Sequence, residues 1–382
     1  MNSLYASLGT TIFEQMSRVA AERGAVNLGQ GFPEDDGPLD LREFAARAIV
    51  DGPNQYPPMR GLPALREAVA DHYNLHHHLS LDWHTQVTIT SGATEALAAA
   101  LLAFIEPGDE VVLFEPLYDA YLPMVRRAGG VPRVVRLQPP NWAFKREALA
   151  AAFSDRTRLV VINTPHNPAS SVMSRAELEL VAEFCRLHGA LCVSDEVWEH
   201  ILFDGAQHIS MLDVMPERTL KIGSAGKMFS FTGWKVGFAC AAPDLTEQFA
   251  KAHQFLTFTT PPNLQRAAAY GLAKPRAYFD EMRAGLQRSR DRLVSVIEGE
   301  GFVVLPVRGA YFATIDLAAS GVAMDDVAFA KHAIECGVAV IPYTPFYASA
   351  GAPPLVRLCF AKRDETLDRG AEALVRARRL LL

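Results

Sequence analysis

From residue 87 onward short β-type runs alternate with helical patterns, and that alternation constrains the fold of this chain more than any single motif. The runs lie at 87–90, 110–114, 134–137, 159–163, 190–194, 219–223 and 236–240. Strands separated by helices cannot pair as tight hairpins, so the pattern predicts an α/β fold whose large domain is a mostly parallel sheet flanked by helices. After Lys274-Pro275 the character changes. A long charged helix over roughly 278–298 precedes β-type runs at 302–306, 310–315, 338–341 and 355–360 and a closing helix, the pattern of a smaller α+β domain. With 382 residues the chain is long enough for two cores. Before the alternation begins, residues 12–21 are amphipathic with a helical period ending near Gly24. Residues 25–33 read as a strand entering a Gly/Pro loop, 41–50 and 62–70 as helices, and 54–58 as a proline-restricted linker. The expected division is an N-terminal arm (1–23), a large domain (41–274) and a small domain (24–40 with 275–382).

In open α/β sheets ligands gather at the carboxyl ends of the strands, and four expected strand ends carry groups suited to one ligand. Ser91-Gly-Ala-Thr94 opens a helix, where free N–H groups and the positive pole suit an anion. In Asn163-Thr-Pro-His-Asn-Pro168 two prolines fix a loop that presents Asn167. Ser194-Asp-Glu196 leaves Asp195 at the end of a strand that should be buried, where a carboxylate is costly without a cation. The fourth end, Ser224-Ala-Gly-Lys227, runs on through Thr232-Gly-Trp-Lys235 with two lysines and several hydroxyls. It is not a P-loop, because Lys221 stands where the first glycine belongs and Met228 follows Lys227. Singly these are a helix cap, two turns and a buried acid. Together they match a heterocyclic phosphate bearing an aldehyde: phosphate at 91–94, Ser224 and Lys235, ring nitrogen at Asp195, ring oxygen at Asn167, aldehyde at Lys227. Pyridoxal 5'-phosphate has those parts.

Other partners are disfavoured. A net charge of −6 without a basic block gives a nucleic acid nothing to hold. No unbroken apolar run reaches about 18 residues and the start lacks a leader pattern, so a cytoplasmic protein without a membrane partner is expected. The five cysteines are dispersed, with no Cys-x-x-Cys pair, and read as core residues. The run His76-His77-His78 cannot turn three adjacent side chains toward one ion on regular structure, so no metal is expected.

With these motifs in place, the chain resembles the fold-type I, class I/II pyridoxal-phosphate aminotransferases. Within them it is similar to the branch of bacterial methionine aminotransferases and kynurenine aminotransferases (cysteine-S-conjugate β-lyases). The resemblance runs through nearly the whole chain. Besides the four strand ends it includes Leu8-Gly-Thr-Thr-Ile-Phe13, Asn27-Leu-Gly-Gln-Gly-Phe-Pro33, Asn54-Gln-Tyr56 and Val356-Arg-Leu-Cys-Phe-Ala-Lys362. It implies that Lys227 holds the cofactor covalently and carries the proton at the substrate Cα, and that Asp195 keeps the pyridine nitrogen protonated. Asn167 bonds the ring oxygen and Tyr118 stacks on the ring. Gly92, Ala93, Thr94, Ser224 and Lys235 hold the phosphate. The resemblance further implies that Arg357 grips the substrate α-carboxylate, helped by Gly31 and Asn167, and that Phe13 lines the side-chain pocket. Tyr56 and Phe258 reach the site from the partner subunit of a homodimer.

One position departs from the family pattern. Trp198 stands where a tyrosine usually donates to the ring oxygen, and an indole can donate but cannot accept or ionise. The aromatic pocket implies ping-pong transfer from methionine or a large neutral or aromatic amino acid to a 2-oxo acid. Kynurenine transamination and β-elimination from cysteine conjugates are the alternatives. A non-catalytic cofactor-binding regulator is more remote, since the family pattern begins by about Leu8 with no preceding DNA-binding extension.

Overall fold

The computed structural model describes residues 3–381; residues 1 and 2 of the expected arm, and residue 382, lie outside them. Seven strands form the large sheet: β1 (Val87–Thr90), β2 (Glu110–Glu115), β3 (Val131–Arg136), β4 (Thr157–Asn163), β5 (Leu191–Asp195), β6 (Thr219–Ser224) and β7 (Gly237–Ala241). Their order is β1-β7-β6-β5-β4-β2-β3. The pairs from β6 through β3 are parallel, and β7 lies antiparallel to both β6 and β1. A sheet covered on both faces should be apolar along whole strands rather than alternately. Strands β1, β2, β6 and β7 are indeed buried at every residue.

The small sheet has the order β10-β11-β9-β8, all antiparallel, from β8 (Val303–Val304), β9 (Phe312–Asp316), β10 (Ile341–Pro342) and β11 (Leu355–Cys359). Helix Arg276–Gly299 leads into it and helix Asp364–Arg379 closes the chain. Near the start, helix Ile12–Arg23 is capped by the Thr11 hydroxyl, which accepts from Glu14 N–H, and by Gly24 in the left-handed conformation (φ 63°). Val26–Asn27 pairs in parallel with Val338–Ala339, and Glu34 N–H donates to Ala361 carbonyl. On these contacts we propose that residues 24–40 belong with 275–382 in the small domain, that 41–274 form the large one, and that 1–23 are an arm.

Three expected elements differ. The strand expected at 134–137 is Val131–Arg136 and contains Pro132; it lies at the sheet edge, where a missing N–H costs no ladder bond. The strand that enters the loop within 25–33 is short, ending at Asn27, whose side-chain oxygen accepts both Gly29 and Gln30 N–H at 3.0 Å and turns the chain. The run 338–341 is divided between two sheets, Val338–Ala339 joining Val26–Asn27 and Ile341–Pro342 joining β11. Among the described residues, no helix is long and apolar enough to cross a membrane.

Register then determines where chemistry can occur. Asn163 is paired with Asp195, Asp195 with Ile222, and both Ser224 and Thr90 with Gly237. The carboxyl ends of β1, β4, β5 and β6 therefore lie along one edge.

Candidate active site

A cavity of about 260 Å³ opens at that edge, and a wider one of about 660 Å³ continues it toward the small sheet. Tyr118, Asn167, Trp198, Lys227 and Gly31 line both.

One end is built for an anion. Helix Ala93–Phe104 begins at Gly92 with no side-chain cap, so its first N–H groups are left to the cavity that Gly92, Ala93 and Thr94 line. Ser91 does not share this role: its hydroxyl bonds Thr260 at 2.9 Å and its N–H donates to Glu95. Gly92 has φ 80°, and a Cβ there would stand 3.3 Å from Lys235 Nζ, so the ammonium lies against the helix start. A Cβ on Gly237 would come within 2.7 Å of the Gly92 carbonyl carbon, which is why β7 and the helix start can approach so closely. The side chain of Ser224, at the end of β6, faces the same space.

A buried carboxylate closes another wall. Asp195 Oδ2 accepts the Tyr121 hydroxyl at 2.7 Å, and Oδ1 has only Val197 N–H at 3.4 Å. Burial pushes its pKa above the ordinary carboxylate value, against the lowering effect of the Tyr121 and Val197 bonds and of the more distant Lys227 charge. A carboxylate in such a place needs a cation in the cavity beside it. A protonated ring nitrogen supplies one, and the uncapped helix start beside Lys235 and Ser224 suits a phosphate, so these residues fit pyridoxal phosphate.

Lys227 follows β6 in the short helix Ala225–Met228. Its Nζ lies 3.4 Å from the Tyr311 hydroxyl and 4.5 Å from the centre of the Trp198 ring. Loss of solvation pulls its pKa down to about 8, which gives a far larger neutral fraction at pH 7–8 than an exposed lysine has. Trp198 is buried, edge-on to Tyr311 with ring centroids 4.3 Å apart.

Arg357, from the middle of β11, is buried, and burial lowers its pKa to about 10, leaving it a cation at neutral pH. Nη1 donates to Asn167 Oδ1 at 2.8 Å and Nη2 to Gly29 carbonyl at 2.9 Å, while Nε has no partner. The guanidinium lies 4.1 Å from the Phe312 ring centre and 5.1 Å from that of Phe13, which lines the wider cavity. Asn167 is held in turn by its N–H, which donates to Asn163 Oδ1 at 2.7 Å.

Two expected residues do not reach either cavity. Tyr56, 83% exposed, and Phe258, 38% exposed, pack against each other on the surface with ring centroids 5.5 Å apart. Three residues without an assigned role in the sequence reading also join the site. Tyr121 holds Asp195, Tyr311 donates to Gly31 carbonyl at 2.9 Å beside Lys227, and Arg18 lines the wider cavity one helical turn after Glu14. The spacing of Tyr118 and Tyr121 was a usable signal for the first. Tyr311 lies 84 residues from Lys227, and nothing local announces it.

Residues 23–374 match the family model for aminotransferase class I and II. A methionine aminotransferase from Escherichia coli K12 is 40% identical over 370 residues, 96% of each chain. A solved structure of an Escherichia coli methionine aminotransferase superposes with a TM-score of 0.95 at 40% identity, covering 98% of this chain and 99% of that one. A probable N-succinyldiaminopimelate aminotransferase from Mycobacterium tuberculosis is also 40% identical, over 96% of this chain and 95% of its own. A kynurenine–oxoglutarate transaminase from Mus musculus is 34% identical, over 97% and 88%.

Proposed function

The chain belongs to the class I and II aminotransferases, a pyridoxal phosphate-dependent family, and on that premise we propose that it moves the amino group of methionine or another large neutral or aromatic amino acid to a 2-oxo acid. The observation that carries the reading is the meeting of Lys227 and Arg357 at one continuous space walled by Phe13, Tyr118 and Trp198. A cation there takes an α-carboxylate, and apolar rings take a neutral side chain.

The residues divide the work. When bound, the cofactor supplies the aldehyde that takes the amino group and the electron sink for the Cα carbanion. Lys227 would hold the cofactor through its aldehyde and, when freed, would accept and return the proton at the substrate Cα, work that an amine with a pKa lowered to about 8 suits. Asp195, held by Tyr121, keeps the proton on the ring nitrogen. Asn167 is positioned to donate to the ring oxygen, while the Gly92–Thr94 helix start, Ser224 and Lys235 hold the phosphate. Arg357 binds the α-carboxylate as a two-pronged donor, with Gly31 and Asn167 beside it. We place Tyr56 and Phe258 in the site of a second copy, as a homodimer with shared sites requires; their exposure in one chain supports that placement.

A second reading is favoured by Arg18. It offers the wider cavity a second cation besides Arg357, suited to a longer donor with a further carboxylate, as the N-succinyldiaminopimelate named for the mycobacterial relative has. A half-reaction screen tests both: purified enzyme is mixed with single amino acids and the loss of cofactor absorbance is followed. Fast bleaching by methionine, phenylalanine or kynurenine supports the neutral-donor reading. Bleaching only by acidic N-acyl diamino acids, lost in Arg18→Ala, overturns it.

A further inference from the structure

Glu196 and Glu199 follow Asp195 closely in sequence but enter a different buried cluster. Glu196 meets His208 Nε2 at 2.8 Å and Lys221 Nζ at 3.2 Å. Glu199 accepts from the Tyr73 hydroxyl at 2.8 Å and from Lys221. Both carboxylates and the ammonium are fully buried. Two carboxylates thus share one ammonium where solvent cannot reach them.

Two histidines complete the cluster, and each has a ring nitrogen without a partner. The His77 side chain is 9% exposed; its Nε2 lies 3.6 Å from Glu199 Oε2 and makes no hydrogen bond. The His208 side chain is 1% exposed, and its Nδ1 has no partner. One potential ligand atom from each of His77, Glu199 and His208 lies within 4.8 Å of the other two. A polar cavity of about 400 Å³, lined by all three, gives access from solvent. The three-histidine run does not face one ion by itself: His78 caps its helix in the left-handed conformation, and only His77 joins this cluster.

We propose that His77, Glu199 and His208 form a binding site for one divalent transition-metal ion of the zinc class, with a water from the cavity as fourth ligand. Two imidazoles and one carboxylate around an open position suit Zn²⁺ or Co²⁺, whereas Mg²⁺ and Ca²⁺ select oxygen ligands. Contraction of the ligand atoms onto bonds of about 2.0–2.2 Å takes side-chain movements of the order of 1 Å. Lys221 need not leave. A carboxylate oxygen offers two lone pairs, so Glu199 Oε2 can serve the ammonium and the ion together. Glu196 remains with Lys221 as the outer support. The ion gives the two carboxylates a second cationic partner and ties helix Pro63–His77 to the segment that follows Asp195.

The test uses untagged holoenzyme dialysed against a chelator and then titrated with Zn²⁺ in a calorimeter, with Mg²⁺ as control. One equivalent of Zn²⁺ is expected to bind and Mg²⁺ is not. His77→Asn and His208→Asn should each weaken zinc at least about 100-fold, and the His77 variant should keep its transaminase turnover. Absence of zinc binding, or binding undiminished in both variants, overturns the site. Should the variants fail to fold, Co²⁺ added to the wild-type holoenzyme decides. Intense visible bands of a tetrahedral nitrogen and oxygen site support the proposal, and the weak bands of an octahedral oxygen site overturn it.

Discussion

Two lysines six residues apart show how one side chain acquires opposite properties. Lys221, inside β6, is fully buried, and although burial works against its charge, Glu196 and Glu199 raise its pKa. Lys227, just beyond the end of the same strand, lacks a carboxylate at bonding distance, and desolvation pulls it down to about 8. The carboxylates mirror the lysines. Burial raises Asp195, which has no cation bonded to it, whereas Lys221 and His208 hold Glu196 far below the usual range despite its burial. The difference teaches that burial alone makes neither a catalytic nor a structural lysine. The partner does, and a partner withheld from Lys227 leaves its amine available for chemistry.

The largest effect that should separate the two lysines is on turnover. Lys227→Ala is expected to lower kcat by about 10⁴-fold or more while leaving the fold intact, as stopped-flow rates and circular dichroism would show. If Lys227→Ala retained turnover, the contrast would collapse. Lys221→Met should do the reverse, costing about 3–5 kcal/mol in a denaturant titration by stranding two buried carboxylates. Adding Glu196→Gln and Glu199→Gln should recover most of that loss. A triple variant no more stable than Lys221→Met would mean that packing, not charge, is at stake.

Arg357→Lys keeps the charge but loses the fork that bonds Asn167 and Gly29, so kcat/KM for the amino donor should fall about 10- to 100-fold. The smallest expected effect is a pH dependence of the cofactor-free protein. Lys227 has a folded-state pKa near 8 against an unfolded value of 10.5, so between them the unfolded chain binds the extra proton. The stabilising contribution is therefore present above about 10.5 and lost as pH falls through 8. Relative to a Lys227→Met variant, the cofactor-free wild type should gain melting temperature from pH 8 to 10. A parallel pair of curves would show that desolvation does not govern this amine.

Much of this was legible in the chain. The strand and helix alternation gave the sheet, and the four strand ends gave the groups proposed to hold the cofactor, because each is a short local signal whose position follows from the fold rule. Asn167 and Asp195 fall where that rule puts them, on the edge shared with Ser224 and Thr90. The rest had no local signal. The Tyr311 hydroxyl reaches Lys227 from the small sheet, and the fork of Arg357 is set by Asn167, 190 residues away. Strand β3 begins at Val131 and carries Pro132, a residue tolerated only because the strand lies at the edge, and nothing local says that a strand will lie there.

By itself the sequence determined the strand and helix alternation and the cofactor class, and it singled out Lys227 as the proposed reactive lysine, all of which depend on residue type and near-neighbour spacing. Only the tertiary structure decided which buried lysine has partners. Lys221 and Lys227 are both lysines next to apolar residues in one segment, and what separates them is the approach of Glu196 and Glu199 to one and of Trp198 and Tyr311 to the other. Electrostatic character in a poorly solvated interior depends on distances across the fold, and those distances are not written in the order of the residues.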